Sequence, residues 1–169
     1  MVVHMVKIFT WGLLAVIVFI AQTQFSFLHN SINFTVVIVY FFGLKNLDRV
    51  AARGYFGSRS EIETTAFGAC IGLTEDIVLG SLIGPGFLSK GLTGFFTSVI
   101  FSDVVFRWTP IWGVTAITAF TLLDGLILIG ARNMFTDLNV NSTYVLLNVL
   151  VQIAVNVPFG ILLKPRDMD

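Results

Sequence analysis

The chain has 169 residues, of which 56% are hydrophobic and 12% charged, with a formal net charge of zero. Soluble domains carry about 45–50% apolar and about 25% charged residues, so these few charges cannot cover a water-facing surface and much of the exterior must face lipid. The neutral balance argues against a phosphate-rich partner such as nucleic acid, and the lone cysteine, Cys70, excludes an intramolecular disulfide or a paired-thiol metal site.

A bilayer core needs roughly 20 helical residues per crossing. Apolar stretches of that kind fall at Ile8–Leu28, Ile32–Leu47, Ile62–Gly80, Phe87–Phe106, Ile111–Ala131 and Thr143–Leu163. The first follows Lys7 and imitates a secretory signal, but it is longer than a signal core and lacks a small-x-small cleavage site, which predicts a retained helix. The second is short. The run lengths predict helices, because barrel strands would alternate every second residue over about ten residues. Six transmembrane helices in a single domain over 1–169 are therefore expected, with no repeat or low-complexity segment.

Lysine and arginine set the orientation. The N-terminus, the second–third connection, the fourth–fifth connection and the C-terminus hold Lys7, Lys45, Arg49, Arg53, Arg59, Arg107, Lys164 and Arg166, against Lys90 and Arg132 on the opposite side. Both termini are predicted in the cytoplasm. Lys45, Arg49, Arg53 and Arg59 form a basic cytoplasmic loop, which sets topology and has the charge to touch anionic lipid or a partner.

The third stretch carries the most information. Gly68, Gly72, Asp76 and Gly80 recur every fourth residue in GACIGLTEDIVLG, giving one face of small residues with a carboxylate set into it. Such a face admits a closely packed helix, and the acid then either caps a broken helix end or serves a ligand. The following GSLIGPG, residues 80–86, must end the helix in a tight connection. At about 1.5 Å per residue, Asp76 and Asp124 reach similar depths, and Lys90 enters its helix at a comparable level. Glu75, Asp76, Lys90 and Asp124 are thus expected to form a polar layer in the outer half of the bundle, with Lys90 offsetting an acid. Asp103 and Arg107 are spaced as an anchoring i,i+4 pair.

Other chemistry finds little footing. Asp124 stands in LLDG rather than in the context of a membrane aspartyl protease, and His4 and His29 lie far apart at predicted membrane edges. No phosphate-binding loop or dinucleotide fingerprint is present. Neither a cofactor nor a metal is expected.

The segment AFGACIGLTEDIVLGSLIGPGFL resembles the rod shape-determining protein family MreD, which carries a glycine-bearing helix, then D-x-x-x-G-S-x-x-G and an apolar stretch. Asp76, Gly80, Ser81 and Gly84 hold those positions. Asp124 in TLLDGLILIG looks like the family's fifth-helix acid, and VPFGILLKPR is similar to its closing helix. The chain departs from the pattern at Ser31-Ile32-Asn33, which lacks a preceding proline, and at Glu75, an added acid. The resemblance implies an S-component-like six-helix bundle in the bacterial inner membrane. It also implies a non-enzymatic scaffold of the elongation (rod) complex that binds MreC. Through MreC it would connect to MreB, RodA and a class B penicillin-binding protein in cell shape and peptidoglycan synthesis. Gly68, Gly72, Asp76, Gly80, Ser81 and Gly84 would be its packing or partner surface. The alternative is a vitamin-binding S component of an importer, which would need an alanine-rich docking motif on the first helix. WGLLAVIVFIAQTQF has two alanines and many branched residues.

Overall fold

Among the described residues each predicted apolar run carries a helix, but the helices do not stop where the apolar residues stop. A computed structural model describes residues 2–25, 33–51, 58–80, 82–101, 108–135 and 142–163. Its six helices are α1 (Val2–Phe25), α2 (Thr35–Ala51), α3 (Ser58–Val78), α4 (Pro85–Val99), α5 (Pro110–Phe135) and α6 (Ser142–Leu162), and no strand occurs among the described residues. Two helical stretches, Pro110–Phe135 and Val145–Leu162, are long and apolar enough by length and composition to cross a membrane. α3 has similar length but carries Arg59, Glu61, Glu63, Glu75 and Asp76, whereas α4 has only 15 residues.

Two expected boundaries move for identifiable reasons. α2 continues beyond Leu47 to Ala51, because Lys45, Asn46, Asp48 and Arg49 interrupt apolarity without breaking a helix. Lys45 and Arg49 therefore stand on α2 and Arg59 on the first turn of α3, not in a loop; Arg53 lies outside the described residues. α3 ends at Val78 rather than Gly80, which turns out of the helix at φ 59°. Gly84 has φ 124°, and Pro85 opens α4, where its missing N–H costs nothing.

α2 is the central helix and touches each of the other five. Val36, Val37, Tyr40, Leu44 and Leu47 join Phe101, Trp108, Ala116, Ile117 and Phe120 in the larger apolar core. Tyr40 packs edge-on against Phe101, with ring centroids 5.9 Å apart. On the other side, Ile38 and Val39 meet Ala15 of α1 and Ile71 of α3. There Trp11 lies 4.9 Å edge-on from Phe42, and Phe42 stacks on Phe67 at 3.9 Å.

Glycine sets the closest helix contacts. Hydrogen atoms at Gly68 and Gly72 leave room for the backbone carbonyls of Lys90 and Gly86, and Gly94 does the same for the carbonyl of Thr64. α3 and α4 thus approach backbone to backbone, with no side chain between them at these points. α5 and α6 repeat the device where Gly113 faces the Gly160 carbonyl.

α4 shows the polarity of the whole. Gly86, Ser89, Lys90, Gly91, Thr93, Gly94, Thr97 and Ser98 are buried, while Phe87, Leu88, Phe95 and Phe96 are exposed. Thr93 and Thr97 donate their hydroxyls to the carbonyls of Ser89 and Thr93, at 2.9 and 2.7 Å, so the inward side is satisfied locally.

An added methyl at Gly72 would overlap the Gly86 backbone, which cannot swing aside as a side-chain tip can. Gly72→Ala and Gly113→Ala are each expected to lower stability by about 1–3 kcal/mol. Gly12→Ala, with open space at its Cβ position, should be neutral or raise stability by up to about 1 kcal/mol. Unfolding midpoints in mixed micelles check this ordering.

Candidate functional site

The only cationic side chain placed in the described interior is Lys90, which is fully buried on α4. Burying an ammonium is costly unless carboxylates meet it and their remaining lone pairs find donors. Lys90 Nζ lies 2.9 Å from Glu75 Oε2 and 2.6 Å from Asp124 Oδ1. Three consecutive helices thus supply the acid, base and acid of one ion network.

A shell of uncharged groups completes it. Gln22 of α1 donates to Glu75 Oε1 at 2.9 Å, and Thr35 donates toward Glu75 Oε2 at 2.8 Å. Asn33 donates to Asp124 Oδ2 and Ser89 to Asp124 Oδ1, each at 2.5 Å. The Thr35 hydroxyl also bonds Asn33 Oδ1. Asn156 of α6 donates to the Asn33 carbonyl at 3.3 Å and to Thr121 at 3.1 Å. All six helices, or in the case of Asn33 the residues entering one, contribute to the network.

Asp76 sits beside Glu75 in sequence but turns elsewhere. Consecutive helical residues point about 100° apart, so one acid faces the bundle and the other faces the α3–α4 connection. The Asp76 carboxylate accepts from the backbone N–H groups of Gly84 at 2.8 Å, Gly86 at 3.1 Å and Phe87 at 3.4 Å. It rests against the Gly86 Cα, where a side chain would collide with it. A negative charge here satisfies orphan donors at the start of α4 and meets the positive end of its dipole. The carboxylate therefore ties α3 to α4 across GSLIGPG.

Of the expected polar layer, Glu75, Lys90 and Asp124 come together, and Asp76 caps a helix instead. Of the small-residue face, Gly68, Gly72 and Asp76 look inward onto α4, Gly80 is exposed at the turn, and Gly84 donates to Asp76. Ser81 lies outside the described residues, as do Asp103 and Arg107. Half-buried Lys45 places its ammonium 5.8 Å from the Phe41 ring centroid. Sequence reading passed over Gln22, Thr35, Ser89 and Thr121 as parts of the site. The available signal was an amide or hydroxyl within or beside an apolar run, the kind of group that seeks a partner in an apolar interior.

No family model, curated protein or solved structure matches the chain.

Removing one partner of a buried ion pair costs more than the pair contributes, because the remaining charge stays buried. Lys90→Met is expected to lower stability by about 3–5 kcal/mol. The triple variant Glu75→Gln/Lys90→Met/Asp124→Asn should recover much of that loss in the same unfolding assay. Asp76→Ala should cost about 1–3 kcal/mol by leaving backbone donors unpaired, and Asp76→Asn less, since its amide oxygen still accepts.

Proposed function

We propose that this chain is a multi-pass protein of the bacterial inner membrane, with six crossings and both termini in the cytoplasm. In this reading it is a non-enzymatic scaffold of the elongation complex. It grips MreC and through it connects MreB with RodA and a class B penicillin-binding protein. The observation that carries the family assignment is the sequence of residues 66–88. Within it, Gly68, Gly72, Asp76 and Gly84 are all used to join α3 to α4.

The membrane reading draws on the distribution of polarity. Glu75, Asp76, Lys90 and Asp124 are buried, while Leu13, Ile17, Ile77, Leu126, Leu147 and Ile161 are exposed. In water that arrangement would be unfavourable at both places; in lipid the apolar exterior is solvated and the polar groups are sheltered. α4, at about 1.5 Å per residue over 15 residues, spans less than the roughly 30 Å hydrocarbon core. Its crossing then includes the connection held by Asp76.

A vitamin-binding subunit would also gather polar groups from several helices, but would aim them at a ligand. Here the carboxylates, the ammonium and their hydroxyl and amide partners bond to one another. This favours the scaffold over the importer subunit.

Topology is checked with single cysteines in a Cys70→Ser background. An impermeant maleimide should label Ile83→Cys in spheroplasts and label Ser58→Cys only after permeabilisation; the reverse pattern would overturn the orientation. For the partner, the full chain co-expressed with MreC from its own genome should retain MreC through purification in mild detergent. Failure to retain it, together with a vitamin found by mass spectrometry, would reverse the choice between the two functions.

A further inference from the structure

Three levels of contact fix how α1 runs beside α2. Gln22 and Thr35 share the Glu75 carboxylate, Ala15 meets Ile38 and Val39, and Trp11 packs on Phe41 and Phe42. The two helices are therefore antiparallel, and one further turn brings Lys7 of α1 level with Lys45 of α2. Lys45 stands about 15 Å along α2 from Thr35, so these lysines lie at the opposite end of the helix pair from the buried ion network.

Lys45 is placed unlike Lys90. It is half-buried, its ammonium stands 5.8 Å from the Phe41 ring centroid, and no carboxylate pairs with it among the described residues. The Phe41 ring lies 5.7 Å from Trp11, and both rings are partly open to the surroundings. A ring face attracts an ammonium but carries no net charge, so the positive charge of Lys45 remains unmatched. The patch thus joins one free cation to an apolar aromatic ledge one turn below it.

That pairing fits the shape of a phospholipid, in which an anionic phosphate leads directly into an acyl chain. Tryptophan favours the headgroup level, and a lysine stem can lie along apolar surface while its ammonium reaches the phosphates. Basic residues at the cytoplasmic face attract anionic lipid. A free phosphate would use the ammonium and leave the ledge idle, and an acidic protein segment would have no need of an apolar ledge beneath its charge.

We propose that the Lys45 end of α1 and α2 is a binding site for an anionic phospholipid of the inner leaflet. Its phosphate lies at Lys45, with Lys7 adding positive charge at the same level, and its acyl chain lies along Trp11 and Phe41. The site rests on the membrane reading with cytoplasmic termini, and not on the scaffold reading.

The test is tryptophan quenching in the full chain, reconstituted in vesicles of equal parts phosphatidylglycerol and phosphatidylcholine. Brominated acyl chains are carried by one lipid or by the other, so the surface charge is the same in both samples. The difference between wild-type and Trp11→Phe protein isolates Trp11 from Trp108 and Trp112. Trp11 should be quenched more when phosphatidylglycerol carries the bromine, by an amount that corresponds to about five-fold local enrichment, the effect of one basic residue near a membrane surface. Lys45→Gln should remove most of this preference. Lys164→Gln, which takes the same charge from the same predicted side, should leave it, as should inorganic phosphate in place of chloride at equal ionic strength. Equal quenching by the two lipids would overturn the proposal and leave the membrane reading standing. A preference that survives Lys45→Gln, falls equally with Lys164→Gln or yields to inorganic phosphate would also overturn it. If neither lipid quenches Trp11, the membrane placement of α1 fails together with the site. Should Lys45→Gln not fold, the wild-type ratio and its response to phosphate still decide the matter.

Discussion

Lys90 imposes the constraint around which the rest is arranged. Its buried ammonium must meet Glu75 and Asp124, and its own backbone carbonyl packs over Gly68. The same residue therefore bonds α3 through its side chain and crowds α3 through its main chain. Both are possible only if α3 and α4 touch backbone to backbone, which is what Gly68, Gly72 and Gly94 allow. Asp76 then fixes the entry of α4 by holding the N–H groups of Gly84, Gly86 and Phe87. The ion network, the glycine seam and the cap are three parts of one junction.

The junction also accounts for the distribution of hydroxyl groups. Thr35, Ser89 and Thr121 are small enough to sit among packed helices and still place an oxygen beside a charge or an amide. A ring of apolar residues in their place would leave carboxylate lone pairs without donors, and longer polar side chains would push the helices apart. At the other end of the bundle, Ser60 plays a smaller part of the same kind, meeting Asn46 of α2 at 3.4 Å and Ser98 of α4 at 3.1 Å.

The helix count and the common level of Lys90 and Asp124 along the bundle could be read from the sequence, because apolar run length and rise per residue carry that information directly. The partner of Lys90 could not. Glu75 and Asp76 are adjacent, and choosing between them requires the rotational phase of α3, which the evenly scattered polar residues of that helix do not define. The glycine face was legible because Gly68 and Gly72 repeat at helical spacing. The Gly113–Gly160 contact was not, since each glycine stands alone and only the fold brings them together. Sequence places Lys45 and Arg49 in a loop because it marks only the end of an apolar run, not the end of the helix. The run marks where lipid-compatible residues stop, whereas the helix continues as long as its backbone bonds are worth keeping.

The order of charges along the chain bears on how such a protein is made. Glu75, Lys90 and Asp124 lie on α3, α4 and α5 in succession. If these are membrane helices, α3 leaves the ribosome with its acid unmatched, α4 brings the ammonium, and α5 brings the last carboxylate. Each segment alone carries an intramembrane charge that costs about 2.5–3.5 kcal/mol at a helix centre. One-at-a-time release into lipid is thus the least favourable route. A translocon that retains the three helices until they can pair would release them as a unit, and the short α4 would reach its place in the bilayer already attached to its neighbours.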